Sequence, residues 1–262
     1  MFRADLAGLI AGCLWAGSLG VQGAETGFLE RTLDVGGQRY RYQVYVPADY
    51  SPTQAWPVIL YLHGAGERGT DGLRPTQVGL GAAIRKAPQR FPAIVVFPHA
   101  RPETQWAGAQ ADMALAALDR TLGEFKVDLD RVYLTGLSMG GHGTWYLAYR
   151  NPERFAAVAP ICGWTKDLAS HAFGVPVVPP EDGPALPALA RRLAKMPVWI
   201  FHGEMDSVVP VQGSRDAAEA LKAVSAPVRY TEYPGLDHNT WDAAYGSQSF
   251  SAWLLAQRRT KR

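Results

Sequence analysis

From residue 57 to residue 233 the sequence alternates short apolar runs with stretches in which apolar residues recur at helical spacing. That rhythm leaves the chain one broad solution, helices packed around a mostly parallel sheet. The runs 57–62, 93–97, 131–135, 156–161 and 198–201 are rich in Val, Ile and Tyr without polar alternation, as strands covered on both faces are. Segment 39–46 differs, because Tyr40, Tyr42, Val44 and Val46 alternate with polar or solvent-facing positions; it predicts an edge strand with one solvated face. A last strand is expected over 228–233. Helices are expected over 78–86, 110–125, 140–149, 211–224 and 250–257, with Met113, Ala116, Ala117, Leu118 and Leu122 as one core-facing stripe. The stretch 164–196 breaks the rhythm with Pro176, Pro179, Pro180, Pro184 and Pro187, and reads as a loop over the sheet's edge.

With 262 residues, 47% of them hydrophobic and 19% charged, the chain can bury a sizeable core, and residues 24–262 are expected to form one domain. Arg3 followed by the apolar, small-residue run 6–21, with Val21-Gln22-Gly23-Ala24 behind it, reads as a signal peptide over 1–23. The expected location is therefore secreted or periplasmic. The alternative is a lipoprotein anchored through Cys13 of Ile10-Ala11-Gly12-Cys13; the apolar run continues past Cys13, which favours the signal peptide. Removal of Cys13 leaves Cys162 without a disulfide partner, so it is expected to be a small buried hydrophobe. The net charge is only +2 and the basic residues are scattered except for Arg258-Arg259-Thr260-Lys261-Arg262, so no nucleic-acid surface is expected.

The chemistry centres on Gly136-Leu137-Ser138-Met139-Gly140, where a strand ends and a helix begins. Glycines on both sides let the chain turn sharply and expose the hydroxyl beside a helix N-terminus, whose N–H groups suit a developing oxyanion. A serine hydroxyl is too weak a nucleophile alone, so a general base and an acid to orient it must come from elsewhere. Asp206 follows the run 198–201 and His238 follows the strand 228–233, which puts both at the strand ends where Ser138 emerges. Glu204 and Asp237 are the rival acids; His202, His142, His171, His63 and His99 are the rival bases. The glycine-rich loop after 57–62, His63-Gly64-Ala65-Gly66-Glu67-Arg68-Gly69, can fold over the same rim. The N–H of Ala65 and that of Met139 would then form an oxyanion hole, with Glu67 and Arg68 stiffening the loop. No histidine or carboxylate cluster has metal-ligand spacing and no glycine loop is left over for a phosphate, so neither metal nor cofactor is expected.

The segments 63–69, 136–141 and 198–210, together with Tyr230-Thr231-Glu232-Tyr233-Pro234 leading to His238-Asn239-Thr240-Trp241, resemble the secreted carboxylesterases of the α/β-hydrolase superfamily. The resemblance is to members near the dienelactone-hydrolase and polyhydroxybutyrate-depolymerase-like esterases, and runs from Arg39 to the C-terminus. It implies an α/β-hydrolase fold, with a mostly parallel central sheet, helices on both faces and a short Pro-rich insertion in place of a large lid. It also implies cofactor-free hydrolysis of carboxylic esters, of short-acyl or aryl type including feruloyl esters, free or linked to a polymer. The Pro-rich segment before Met196 departs from the family pattern, so substrate preference does not carry over with it. Trp106, Trp164 and Trp241 fall near the predicted rim and would give aromatic walls to an aryl or sugar-linked ester. A peptidase or acyltransferase using the same three residues, or a catalytically silent binding protein of the same fold, is the competing reading.

Overall fold

In the computed structural model, which describes residues 25–165 and 175–259, the alternating pattern becomes one eight-stranded sheet. The predicted signal peptide with Cys13, and His171, lie outside the described residues. The strands are β1 (Gly27–Val35), β2 (Gln38–Val46), β3 (Trp56–Leu62), β4 (Ile94–Pro98), β5 (Val127–Leu137), β6 (Ala157–Ile161), β7 (Val198–Gly203) and β8 (Val228–Tyr233). Their spatial order is β1-β2-β4-β3-β5-β6-β7-β8. β2 runs antiparallel to both β1 and β4, and all other pairs are parallel. The helices are α1 (Leu80–Lys86), α2 (Ala109–Glu124), α3 (Met139–Arg150), α4 (Ala185–Arg192), α5 (Gln212–Ala223), α6 (Trp241–Gly246) and α7 (Gln248–Ala256).

Because successive strand residues point to opposite faces, each central strand feeds two cores. Leu60, Leu134, Val158 and Ile200 pack on one side with Met113, Leu118, Leu147 and Leu221 from α2, α3 and α5. Ile59, Tyr61, Tyr133 and Phe201 pack on the other with Ile84, Tyr245, Phe250 and Leu254 from α1, α6 and α7. Each such side chain contributes about 1.5–3 kcal/mol of burial, which explains why the central runs carry no polar alternation.

Two expectations are corrected. β2 is not the edge, because β1 pairs with it along nine residues. Gly36 and Gly37 adopt φ of 56° and 74°, the paired positive values of a two-residue hairpin turn whose twist suits the strands. Phe28 of β1 lies 5.1 Å from the Tyr45 ring, and the Arg85 guanidinium sits 4.1 Å above Phe28, so the second face of β2 is covered as well. The Pro-rich stretch is likewise not all loop. Val177 and Val178 are buried, Tyr149 donates to Asp182 at 2.6 Å, and Ala188 and Leu189 of α4 enter the core. Pro187 falls in the first turn of α4, where its missing N–H costs the helix nothing.

Candidate active site

The turn after β5 is built by steric necessity. Ser138 sits at φ 51°, ψ −116°, a region that disfavours side chains and costs about 1–3 kcal/mol, and Met139 begins α3 immediately after it. A Cβ on Gly136 would lie 2.4 Å from the Gly140 carbonyl oxygen, and one on Gly140 would lie 1.9 Å from that of Leu62. Only hydrogen fits at either place, so the glycines of the motif are what let α3 close against β3 and β5. The Ser138 N–H donates to the Ile161 carbonyl at 2.9 Å, which pins the turn to β6.

The loops after β7 and β8 bring Asp206 and His238 to this turn. His238 Nε2 is 2.9 Å from Ser138 Oγ, and its Nδ1 is 2.8 Å from Asp206 Oδ2. A carboxylate on Nδ1 places the ring proton there, so Nε2 is the acceptor for the serine hydroxyl. The Asp206 side chain is fully buried, while that of His238 keeps 17% exposure. Oδ1 of Asp206 accepts from the N–H groups of Val208 and Val209 at 2.9 and 2.7 Å. Burial alone would raise this carboxyl, but hydrogen bonds from His202, His238 and Val209 outweigh it and hold the group well below the usual carboxylate range. Of the rival acids, Asp237 accepts from Ser207 and the His238 N–H, and Glu204 accepts from the Gly235 N–H; both brace the loop rather than face the imidazole.

The loop after β3 closes the other side. A Cβ on Gly64 would lie 3.7 Å from Ser138 Cβ, so the loop lies against the nucleophile. Ala65 opens a short 3-10 turn and Met139 opens α3; neither N–H has an acceptor within its own turn, as at any helix start. As expected, Glu67 and Arg68 stiffen the loop: Glu67 Oε2 accepts from the Gly64 N–H at 2.9 Å, and Arg68 Nε donates to the Ala65 carbonyl at 2.9 Å. Beneath it, His63 Nε2 accepts from the Ala100 N–H at 3.0 Å, so its Nδ1–H donates to the Gly64 carbonyl at 2.6 Å. His99 repeats the device, accepting from the Gly72 N–H at 3.0 Å and donating to the Glu67 carbonyl at 2.8 Å. Burial pushes the His63 imidazole down to about 3 and that of His99 down as well, so both serve as neutral struts.

The tryptophans separate. Trp241 remains beside the site, edge-on to the His238 ring at 5.6 Å and only partly buried. Trp106 is corrected: it is 0% exposed, with its Nε1–H donating to the His63 carbonyl at 2.9 Å, and it supports the loop from below instead of lining a pocket. Trp164 is also buried, stacked on His142 at 4.7 Å with its carbonyl 3.0 Å from the histidine Nδ1. Sequence reasoning missed His202 as a neighbour of Asp206 and Ser214 as the partner of His202. It also passed over Glu67, three residues after Gly64, whose carboxylate reaches back to the Gly64 N–H and so makes the side-chain half of a capping box that ties the loop's start.

A mostly parallel sheet with a serine on the tight turn after β5, and an acid and a histidine on the loops after β7 and β8, defines the α/β-hydrolase fold. Residues 35–256 match the family described as "Putative esterase", and the chain belongs to that family. The structure of a thermostable esterase is 33% identical, superposes with a TM-score of 0.73, and is matched over 88% of this chain and 63% of its own. An uncharacterized secreted protein of Arthroderma benhamiae is 29% identical over 202 residues, which are 70% of this chain and 21% of that protein. The chain thus spans less than two thirds of either relative. A ferulic acid esterase structure, 15% identical with a TM-score of 0.67 over 87% of this chain and 98% of its own, shares the fold.

Proposed function

We propose that this chain is a serine carboxylesterase that hydrolyses short-acyl or aryl, feruloyl-type, esters through an acyl-enzyme on Ser138. The observation that carries the reading is the unbroken line from Ser138 Oγ through His238 to Asp206, with spacings of 2.9 and 2.8 Å. His238 takes the serine proton as Oγ attacks the ester carbonyl, Asp206 holds the ring and balances its charge, and the N–H groups of Ala65 and Met139 receive the oxyanion. Collapse of the tetrahedral intermediate expels the alcohol, which leaves with the proton from His238. Water, deprotonated by His238, then attacks the acyl-enzyme and releases the acid. The partly exposed Trp241 edge beside His238 supports an aryl group on one side of the ester. Export fits the secreted relative, and no helix among the described residues is long and apolar enough to cross a membrane.

The test is labelling with a fluorophosphonate probe alongside hydrolysis of 4-nitrophenyl acetate and methyl ferulate. Labelling and both activities should vanish in Ser138→Ala while the circular dichroism spectrum is retained. Labelling that persists in Ser138→Ala, or a wild-type chain that neither labels nor hydrolyses either ester, refutes the assignment.

A further inference from the structure

Asp206 does not rest on His238 alone. Its Oδ2 also lies 3.1 Å from Nε2 of His202, a side chain at the end of β7 that is as completely buried as the carboxylate itself. The same Nε2 is 2.9 Å from the Val209 carbonyl, and His202 Nδ1 is 2.7 Å from Ser214 Oγ on α5. Two acceptors on one side require the ring proton at Nε2, so that N–H is shared between the Val209 carbonyl and Asp206. Nδ1 is then a lone pair, and the Ser214 hydroxyl donates to it. The two acceptors at Nε2 select this tautomer of the neutral ring, and the Ser214 hydroxyl, able to donate or accept, holds the opposite edge in place.

We infer that His202 and Ser214 are positioning residues of the catalytic site, extending the line Ser138-His238-Asp206 by two buried groups that fix the plane of the carboxylate. This inference rests on the assignment of Ser138, Asp206 and His238 proposed above. Val208 and Val209 on Oδ1 and His238 on Oδ2 give the carboxylate three hydrogen bonds, and His202 Nε2 against Oδ2 at 3.1 Å adds a fourth polar contact. A carboxylate so held cannot swing about its Cβ–Cγ bond without breaking at least two of them. Without His202, Oδ2 keeps one donor, the side chain gains freedom, and the imidazole it orients loses its line to Ser138.

The same contact has an electrostatic side that a merely structural histidine would lack. The His202 N–H against Oδ2 draws off part of the charge that His238 uses when it carries the serine proton. The other charged groups around His202 are Glu232, its register partner on β8, and Arg215 of α5, which is paired with Glu232 at 2.6 Å. That pair is internally neutral, so Asp206 is the group whose charge His202 moderates.

The experiment compares His202→Leu, His202→Gln and Ser214→Ala with the parent in steady-state ester hydrolysis, fluorophosphonate labelling rate and the pH profile of kcat/KM. His202→Leu should lower kcat by about 10²-fold with KM little changed, the effect of misplacing a catalytic group by about 1 Å. Its acid limb should move to higher pH, because the relieved carboxylate favours the charged imidazole more strongly. Gln keeps an N–H donor near the Nε2 position and should restore most of kcat. Ser214→Ala should cost about tenfold, one hydrogen bond's worth. If His202→Leu fails to fold, Ser214→Ala decides by the same readouts, since it removes a single hydroxyl. Folded variants with kcat within about twofold of the parent and an unmoved acid limb overturn the inference. A parent that is labelled at Ser138 while these variants react at the parental rate refutes only the positioning role; a parent that is not labelled refutes the triad itself.

Discussion

Replacing His63 tests whether the loop that presents Ala65 stands on neutral histidines. His63 is 0% exposed and its two nitrogens are committed, one to the Ala100 N–H and one to the Gly64 carbonyl. Burial holds its pKa at about 3, against 6.5 for an unhindered histidine in the unfolded chain. Above 6.5 the ring is neutral in both states and contributes no pH dependence. Between 6.5 and about 3 the unfolded chain binds a proton that the folded chain refuses, so stability is lost as the pH falls through that window. At pH 4.5 the loss from this one group is about 3 kcal/mol.

His63→Gln removes the titration. At pH 7.5 the variant should be less stable by about 1–3 kcal/mol, because the glutamine carbonyl can meet the Ala100 N–H in place of Nε2 but the buried Gly64 carbonyl loses its Nδ1–H donor. Urea unfolding of both proteins at pH 7.5 and 4.5 should show that gap narrow, or reverse, by about 3 kcal/mol at the lower pH. Asp206 and Glu232, both held below the usual carboxylate range, and the buried His99 also weaken the fold in acid, but they do so in both proteins and cancel in the difference. A gap that stays constant within about 0.5 kcal/mol refutes the claim that His63 is a neutral strut.

Gly140→Ala puts a methyl group 1.9 Å from the Leu62 carbonyl oxygen, and should yield no soluble folded protein or one that melts far below the parent by circular dichroism. Asp206→Asn should keep the fold and lower kcat by about 10⁴-fold, because the amide no longer fixes the His238 tautomer; a loss under about tenfold in single-turnover assays would exclude Asp206 as the acid. Cys162 is buried with its thiol pushed up to about 12, so iodoacetamide at pH 8 should leave it intact in the native protein and modify it in urea, as read by mass spectrometry. Trp241→Ala should raise KM for methyl ferulate more than for 4-nitrophenyl acetate; equal changes for the two would remove Trp241 from the aryl side of the site.

The sequence announced most of the sheet because β3, β4, β6 and β7 are buried on both faces, and burial on both faces is written as apolar runs with no polar alternation. β1 left no such mark. Its sequence GFLERTLDV carries charged residues in a mostly half-buried strand, and its role as the edge depends on the Gly36-Gly37 turn more than on any apolar pattern. α4 was hidden for a different reason. Proline counts read as breaks unless one knows that Pro187 falls in a first turn, and that knowledge comes only from where the helix starts.

At the site the division follows the same physics. The convergence of Ser138, Asp206 and His238 was legible because each lies just beyond a strand, and strand ends in a parallel sheet share one rim. Their supports were not, because a hydrogen bond between His202 and Ser214, or between Trp106 and the His63 carbonyl, depends on side-chain direction and leaves no periodicity in the chain. Trp106 shows the consequence most clearly. Position alone put it on the rim, yet its indole lies under the loop, with Nε1 fixing the carbonyl of the residue before Gly64 and the ring packed edge-on against His63. A rim residue and a residue one layer below it occupy neighbouring places in sequence; what separates them is whether the polar edge of the ring meets solvent or a buried carbonyl. The buried indole N–H requires an acceptor, and here the His63 carbonyl supplies it, which ties a core side chain to the geometry on which the proposed oxyanion hole depends.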